Sequence, residues 1–124
     1  MKERGTYSHV FVYRIAKKNH RALLALQEKL RAVYKKHGML ESSIYQLGKS
    51  NVFDGFASFE KTLGTSSDEE IWIELDSYQN ASEFARIVGE IGQDEAAGPL
   101  WGELAQLTTE RPVIMGEFET LARM

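Results

Sequence analysis

The sequence predicts an α+β domain whose four strands and two main helices follow the order strand, helix, strand, strand, helix, strand. Three observations predict it. The run Ser8 to Ile15 is rich in β-branched and aromatic residues and is apolar at both odd and even positions. It is followed by Leu23, Leu26, Leu30, Val33, Tyr34 and His37, spaced by threes and fours as on one face of a helix. Farther on, Asn80 with Glu83 makes a capping pattern that opens a second helix between two further strand-like runs.

Each element has its own signal. Because side chains alternate across a sheet, the first strand sends Phe11, Tyr13 and Ile15 to one face and Val10 and Val12 to the other, so both faces need cover. The helix that follows spans about Asn19 to His37, with Asn19 as its expected cap and Gly38 free to take the left-handed backbone that closes it. Glu41 to Leu47 is a shorter, more polar strand suited to a sheet edge. From Gly48 to Glu70 the chain is too long for a plain turn; Phe56, Phe59 and Leu63 predict a short helix there, serving as a lid over a pocket or as a docking surface. Ile71 to Leu75 reads as a third, central strand, with Trp72, Glu74 and Asp76 sharing a face. Ala81, Phe84, Ala85, Val88 and Ile91 form the stripe of the second main helix. Leu100, Trp101, Leu104 and Leu107 suggest another short helix, and the last strand is expected over about Pro112 to Leu121.

Composition narrows the class. A chain of 124 residues, 43% hydrophobic and 27% charged, is expected to be one domain over 1–124. With a net charge of -3 it has no broad basic field for nucleic acid, and the Lys and Arg residues between 17 and 36 fall around several sides of one helix, as on a solvated face. There is no cysteine, hence no disulfide, thiolate metal site or cysteine nucleophile. No segment approaches the roughly 18 apolar residues of a membrane span, and the start of the chain lacks the apolar run of a secretory signal. The expected address is the cytoplasm.

The order of elements is the split β-α-β arrangement of ferredoxin-like folds, with an antiparallel four-stranded sheet. Right-handed crossovers put both helices on one face and leave the other bare. An apolar bare face of several hundred Å² is more than a monomer usually shows, so a homodimer is expected. The element order and the two-sided first strand also resemble the dimeric α/β barrel superfamily. The segments His37-Gly38-Met39-Leu40-Glu41, Ala57-Ser58-Phe59-Glu60-Lys61 and Val113-Ile114-Met115-Gly116-Glu117-Phe118-Glu119 resemble the YbaA-like bacterial proteins of that superfamily, a family of unknown function. The sequence departs from that pattern around Trp72 to Ala85.

No motif specifies chemistry. Gly48-Lys49-Ser50 lacks the setting of a phosphate loop, and His9, His20 and His37 do not pair at metal-ligand spacing. No metal or cofactor is expected. His20 and His37 read as helix-end residues, and His9 either closes a strand end or reaches a pocket. Glu74 and Asp76, two residues apart on one strand face, can raise one another's pKa and make a general acid or base; alternatively Glu74 is half of an ion pair with Arg14. Tyr13, Arg14, Trp72, Glu74 and Trp101 are the candidate pocket, and with Tyr45 the aromatic ones form either a cavity for a small planar ligand or plain core. The function expected is that of a small homodimeric binding protein. The alternative, implied by the superfamily resemblance, is a cofactor-independent monooxygenase, isomerase or haem-handling enzyme.

Overall fold

The computed structural model describes residues 5–123. The strands are β1 (Tyr7–Ala16), β2 (Glu41–Gln46), β3 (Glu69–Tyr78) and β4 (Ile114–Glu119), and the helices are α1 (His20–His37), α2 (Phe59–Leu63), α3 (Ala81–Ile91) and α4 (Ala97–Leu107). They form one antiparallel sheet in the order β2-β3-β1-β4, an α+β fold of ferredoxin-like topology. β1 and β3 are central, and their ladder runs from Tyr7 opposite Tyr78 to Ala16 opposite Glu69. This pairing carries β3 well past the expected Ile71–Leu75. β4 is shorter than expected, pairing only with the Tyr7–Val12 half of β1.

The register sorts side chains as period two requires. Phe11, Tyr13 and Ile15 of β1 and Trp72 of β3 pack against Leu23, Leu26 and Leu30 of α1 and Leu104 of α4. A second cluster joins Tyr78 to Met39 and to Phe84, Ile87 and Ile91 of α3. The stripe of α3 therefore runs through Ile87, and Val88, placed in it by the sequence reading, is 43% exposed. The 84/87/91 spacing follows the narrower seam of a helix lying flat on the sheet.

Helix ends follow the caps closely with one exception. Asn80 accepts a hydrogen bond from the Glu83 amide at 2.8 Å and starts α3 as expected. Gly38, at φ 121°, ends α1, and the next amide, Met39, donates back to the Tyr34 carbonyl. Asn19, in contrast, makes no side-chain cap bond. It belongs to a 3-10 turn, Lys17–Asn19, and has lost the extended backbone that aims a capping oxygen at the helix.

The other sheet face carries Val10, Val12 and Ile73, with Tyr45, Leu75, Ile114 and Phe118 all exposed. No helix crosses it at these positions. The 47–68 segment passes one end of the sheet, where the Arg14 guanidinium donates to the Leu63 carbonyl and the Lys17 amide to the Asp68 carbonyl. Phe53 and Phe56 of that segment touch edge to face and stay in solvent. Phe56 falls before α2, which is a single capped turn from Ser58.

Candidate functional site

The middle of the helix-covered face of the sheet carries a line of buried polar groups. Glu74 and Asp76, two residues apart on β3, point up under the helices and are 4% and 6% exposed. The Tyr13 hydroxyl donates to Glu74 Oε1 at 2.6 Å and in turn accepts from Gln27 Nε2 of α1 at 2.7 Å. On the other side, Ser42 Oγ of β2 donates to Asp76 Oδ1 at 2.6 Å. Burial, then the hydrogen bond and charge of Asp76, push the Glu74 carboxyl up to about 9. Two buried carboxyls side by side cannot both ionise cheaply, so a proton stays on Glu74 through neutral pH. Burial, with the charge of Glu74 next, likewise drives the Tyr13 phenol far above its usual range, which keeps it a donor.

Above this pair lies a cavity of about 20 Å³, walled by Phe11, Tyr13, Leu30, Tyr34, Trp101 and Leu104. That is room for about one water molecule. Arg31 of α1 also borders it, donating through one guanidinium nitrogen to the Ser42 carbonyl. Trp101 meets Tyr34 edge to face, with ring centroids 6.2 Å apart, and burial raises the Tyr34 phenol to about 12.

Of the five candidate pocket residues, the structure brings Tyr13, Glu74 and Trp101 together around this cavity. Trp72 shares the face and stands opposite Tyr13 in the ladder, but it does not line the cavity; its indole donates to Glu70 at 3.0 Å and its ring meets His20 edge-on. Arg14 must be corrected. It occupies an even position of β1 and so projects from the opposite face, donating to the carbonyls of Leu63 and Pro112; it cannot pair with Glu74, whose partners are Tyr13 and Asp76. Tyr45 is likewise on the open face, 56% exposed and outside the cavity.

Gln27, Arg31 and Ser42 were not singled out from the sequence. Gln27 had a readable signal, for it sits between Leu26 and Leu30 on the apolar side of α1, where a polar side chain needs a buried partner.

The histidines do other work. His9 stacks on Phe11 and meets Phe84 edge-on, and burial lowers its pKa against the pull of Asp76 and Glu117. His20 Nδ1 lies 2.7 Å from Glu70. His37 ties α1 to α3 and to the turn after it, with Nε2 2.7 Å from Asp94 and Nδ1 2.9 Å from Glu90, and these hydrogen bonds raise its pKa. Among the described residues no three His, Cys, Asp or Glu side chains are grouped to hold a metal ion.

No protein-family model and no curated protein matches this chain. Among solved structures, it is similar to a dimeric ferredoxin-like protein from an uncultured marine organism, at TM-score 0.58 and 10% identity over 96% of this chain and 99% of that one. A DUF3240 family protein from Shewanella baltica aligns over 97% of this chain and 96% of its own length at 11% identity, with a TM-score of only 0.37. The first likeness supports the ferredoxin-like fold already read from the sheet order.

Proposed function

We propose that this chain, as a single domain, works in the cytoplasm as a homodimer whose two sheets pack face to face in a dimeric α/β barrel, and that it holds a small planar ligand over the Glu74–Asp76 pair. One observation carries the dimer: the open face exposes Tyr45 at 56%, Leu75 at 40%, Ile114 at 44% and Phe118 at 57%. Apolar side chains at adjoining positions of one sheet form a patch that water penalises by roughly 25 cal/mol per Å². A second copy with the same face is self-complementary about a twofold axis. The similar marine protein is itself described as dimeric.

In this reading the chain stands with the YbaA-like proteins that its 37–41, 57–61 and 113–119 segments resemble. The absence of cysteine suits a reducing compartment, and no helix among the described residues is long and apolar enough to cross a membrane. Of the pocket residues, Tyr13, Glu74 and Trp101 meet the ligand, while Arg14 and Trp72 stand outside its reach.

A second reading is favoured by the protonated Glu74 beside Asp76, the pairing that supplies both an acid and a base at neutral pH. It makes the protein an enzyme of proton transfer, such as an isomerase or cofactor-independent monooxygenase. Native mass spectrometry tests both parts of the first reading. A species at twice the 14.1 kDa chain mass is expected, with a retained small molecule. A lone subunit at micromolar concentration overturns the dimer, and activity toward an enolisable carbonyl compound would move the protein to the second reading.

A further inference from the structure

Tyr34 and Trp101 wall two separate spaces. On their inner side is the cavity of about 20 Å³ over Glu74 and Asp76. On their outer side is a surface cleft of about 390 Å³, bordered by Val88 and Ile91 of α3 and by Ala97 and Gly98 at the start of α4. Only side chains separate the two. Trp101 is 39% exposed, on a helix whose start is held by Asp94, its carboxylate accepting from the Ala96 amide and its carbonyl from the Ala97 amide, so any opening is a turn of the indole and not of the helix. With Trp101 turned outward, the joined space falls within the roughly 300–1,000 Å³ of ordinary ligand pockets.

The inner end of that space offers a defined set of polar groups. Asp76 accepts from Ser42 and shares a hydrogen bond with Glu74, and a carboxylate has capacity for more. Arg31 Nε is buried and has no hydrogen-bond partner among the described residues, which leaves a donor unused. Charges of both signs already face one another there, because the Arg31 guanidinium lies in the field of the buried Glu74 carboxyl. An added ion would upset that arrangement in a low-dielectric site, whereas a neutral molecule would not. Phe11, Tyr13, Tyr34 and Trp101 supply flat aromatic walls.

We infer that Trp101 and Tyr34 form a door, and that the space joined when it opens takes a neutral planar ring whose inner edge bears a hydrogen-bond donor next to an acceptor, as in a cyclic amide. The donor meets Asp76 and the acceptor meets Arg31. This rests on the ligand-binding reading above and names the class of ligand.

The test is calorimetric titration of the intact protein with 2-quinolone, N-methyl-2-quinolone and naphthalene. The cyclic amide is expected to bind at least tenfold more tightly than its N-methyl form, in which a methyl group stands in place of the donor hydrogen. Arg31→Met should weaken 2-quinolone at least fivefold and leave naphthalene unchanged. Trp101→Ala should speed association of all probes that bind, measured by stopped flow; this side chain is partly exposed, so the variant keeps its fold. If both quinolones bind equally, the pocket stands and the amide recognition is wrong. If no probe binds wild type or Trp101→Ala, the ligand-binding reading falls together with the inference.

Discussion

The two faces of this sheet invert the usual distribution of polarity. The face covered by α1, α3 and α4 is buried and carries two carboxyls, a phenol and an amide in one hydrogen-bonded line. The open face carries Val, Ile, Leu, Tyr and Phe side chains, several of them in water. A lone subunit selected only for stability would do the reverse, since burying a carboxyl costs free energy and exposing Leu75 or Phe118 forfeits it. The comparison teaches that neither face is explained inside one subunit. The open face leaves apolar side chains in water that the proposed second copy would cover, and the covered face holds polar groups that hydrophobic packing did not require.

The strongest way to break this comparison is to make the open face polar. Leu75→Asp at the centre of that face should weaken self-association by at least a hundredfold, because a partner would have to bury an unpaired carboxylate at a cost of several kcal/mol. Sedimentation velocity should show single subunits with an unchanged circular dichroism spectrum. Unchanged association would mean that the open face is not the interface.

On the covered face, Tyr13→Phe removes the hydroxyl shared by Gln27 and Glu74, taking the partner from Gln27 and leaving Glu74 with Asp76. A loss of about 1–3 kcal/mol is expected in urea unfolding. A fully tolerated change would make the polar line dispensable. The pH dependence follows from Glu74, whose carboxyl rises from 4.5 to about 9 on folding. Between those values the folded chain holds a proton that the unfolded chain has released, so stability falls as pH rises, by at most about 1.4 kcal/mol per pH unit. Glu74→Gln, which mimics the neutral acid, should flatten this fall.

Smaller effects sharpen the contrast from sites on neither face. Asn80→Ala should cost about 1 kcal/mol through the lost α3 cap, whereas Asn19→Ala, which removes no cap bond, should stay within a few tenths. His37 provides the last check. Its pKa is raised from 6.5 by Asp94 and Glu90, so its contribution is complete below pH 6.5 and is lost as pH climbs through the higher folded value. His37→Gln should remove that part of the alkaline descent in melting temperature and leave the part due to Glu74.

Much of the fold was legible because it is written in short-range patterns. Alternation assigned both faces of β1 correctly, and the helical spacing of Leu23, Leu26 and Leu30 located α1 and its buried side. The Asn80–Glu83 cap was equally plain. The failures lie where long-range contacts decide. β3 extends to Tyr78 only because β1 is there to pair with it, and the stripe of α3 shifts to Ile87 because Met39 and Tyr78 lie beneath. For the site, the spacing of Glu74 and Asp76 was readable, but not which residue would answer them. Arg14 was the obvious cation on the adjoining strand, yet odd and even positions of β1 face opposite ways, and the answering group is the Tyr13 hydroxyl. Ser42 and Arg31 come from other elements and leave no local mark.

The sheet order also sets a schedule for making the molecule. β1 emerges first from the ribosome, yet its hydrogen-bonding neighbours are β3 and finally β4, whose Glu119 pairs with Tyr7 near the opposite end of the chain. β2, synthesised in between, has only β3 to pair with. Hence no hairpin of consecutive strands can form early except β2 with β3, and the nascent β1, which α1 can cover on one side, must wait with both edges and its Val10 and Val12 side uncovered. Topologies with such distant pairings fold slowly and expose sticky intermediates. Overproduction of this protein should therefore be more sensitive to temperature and translation rate than the stability of the finished molecule would suggest.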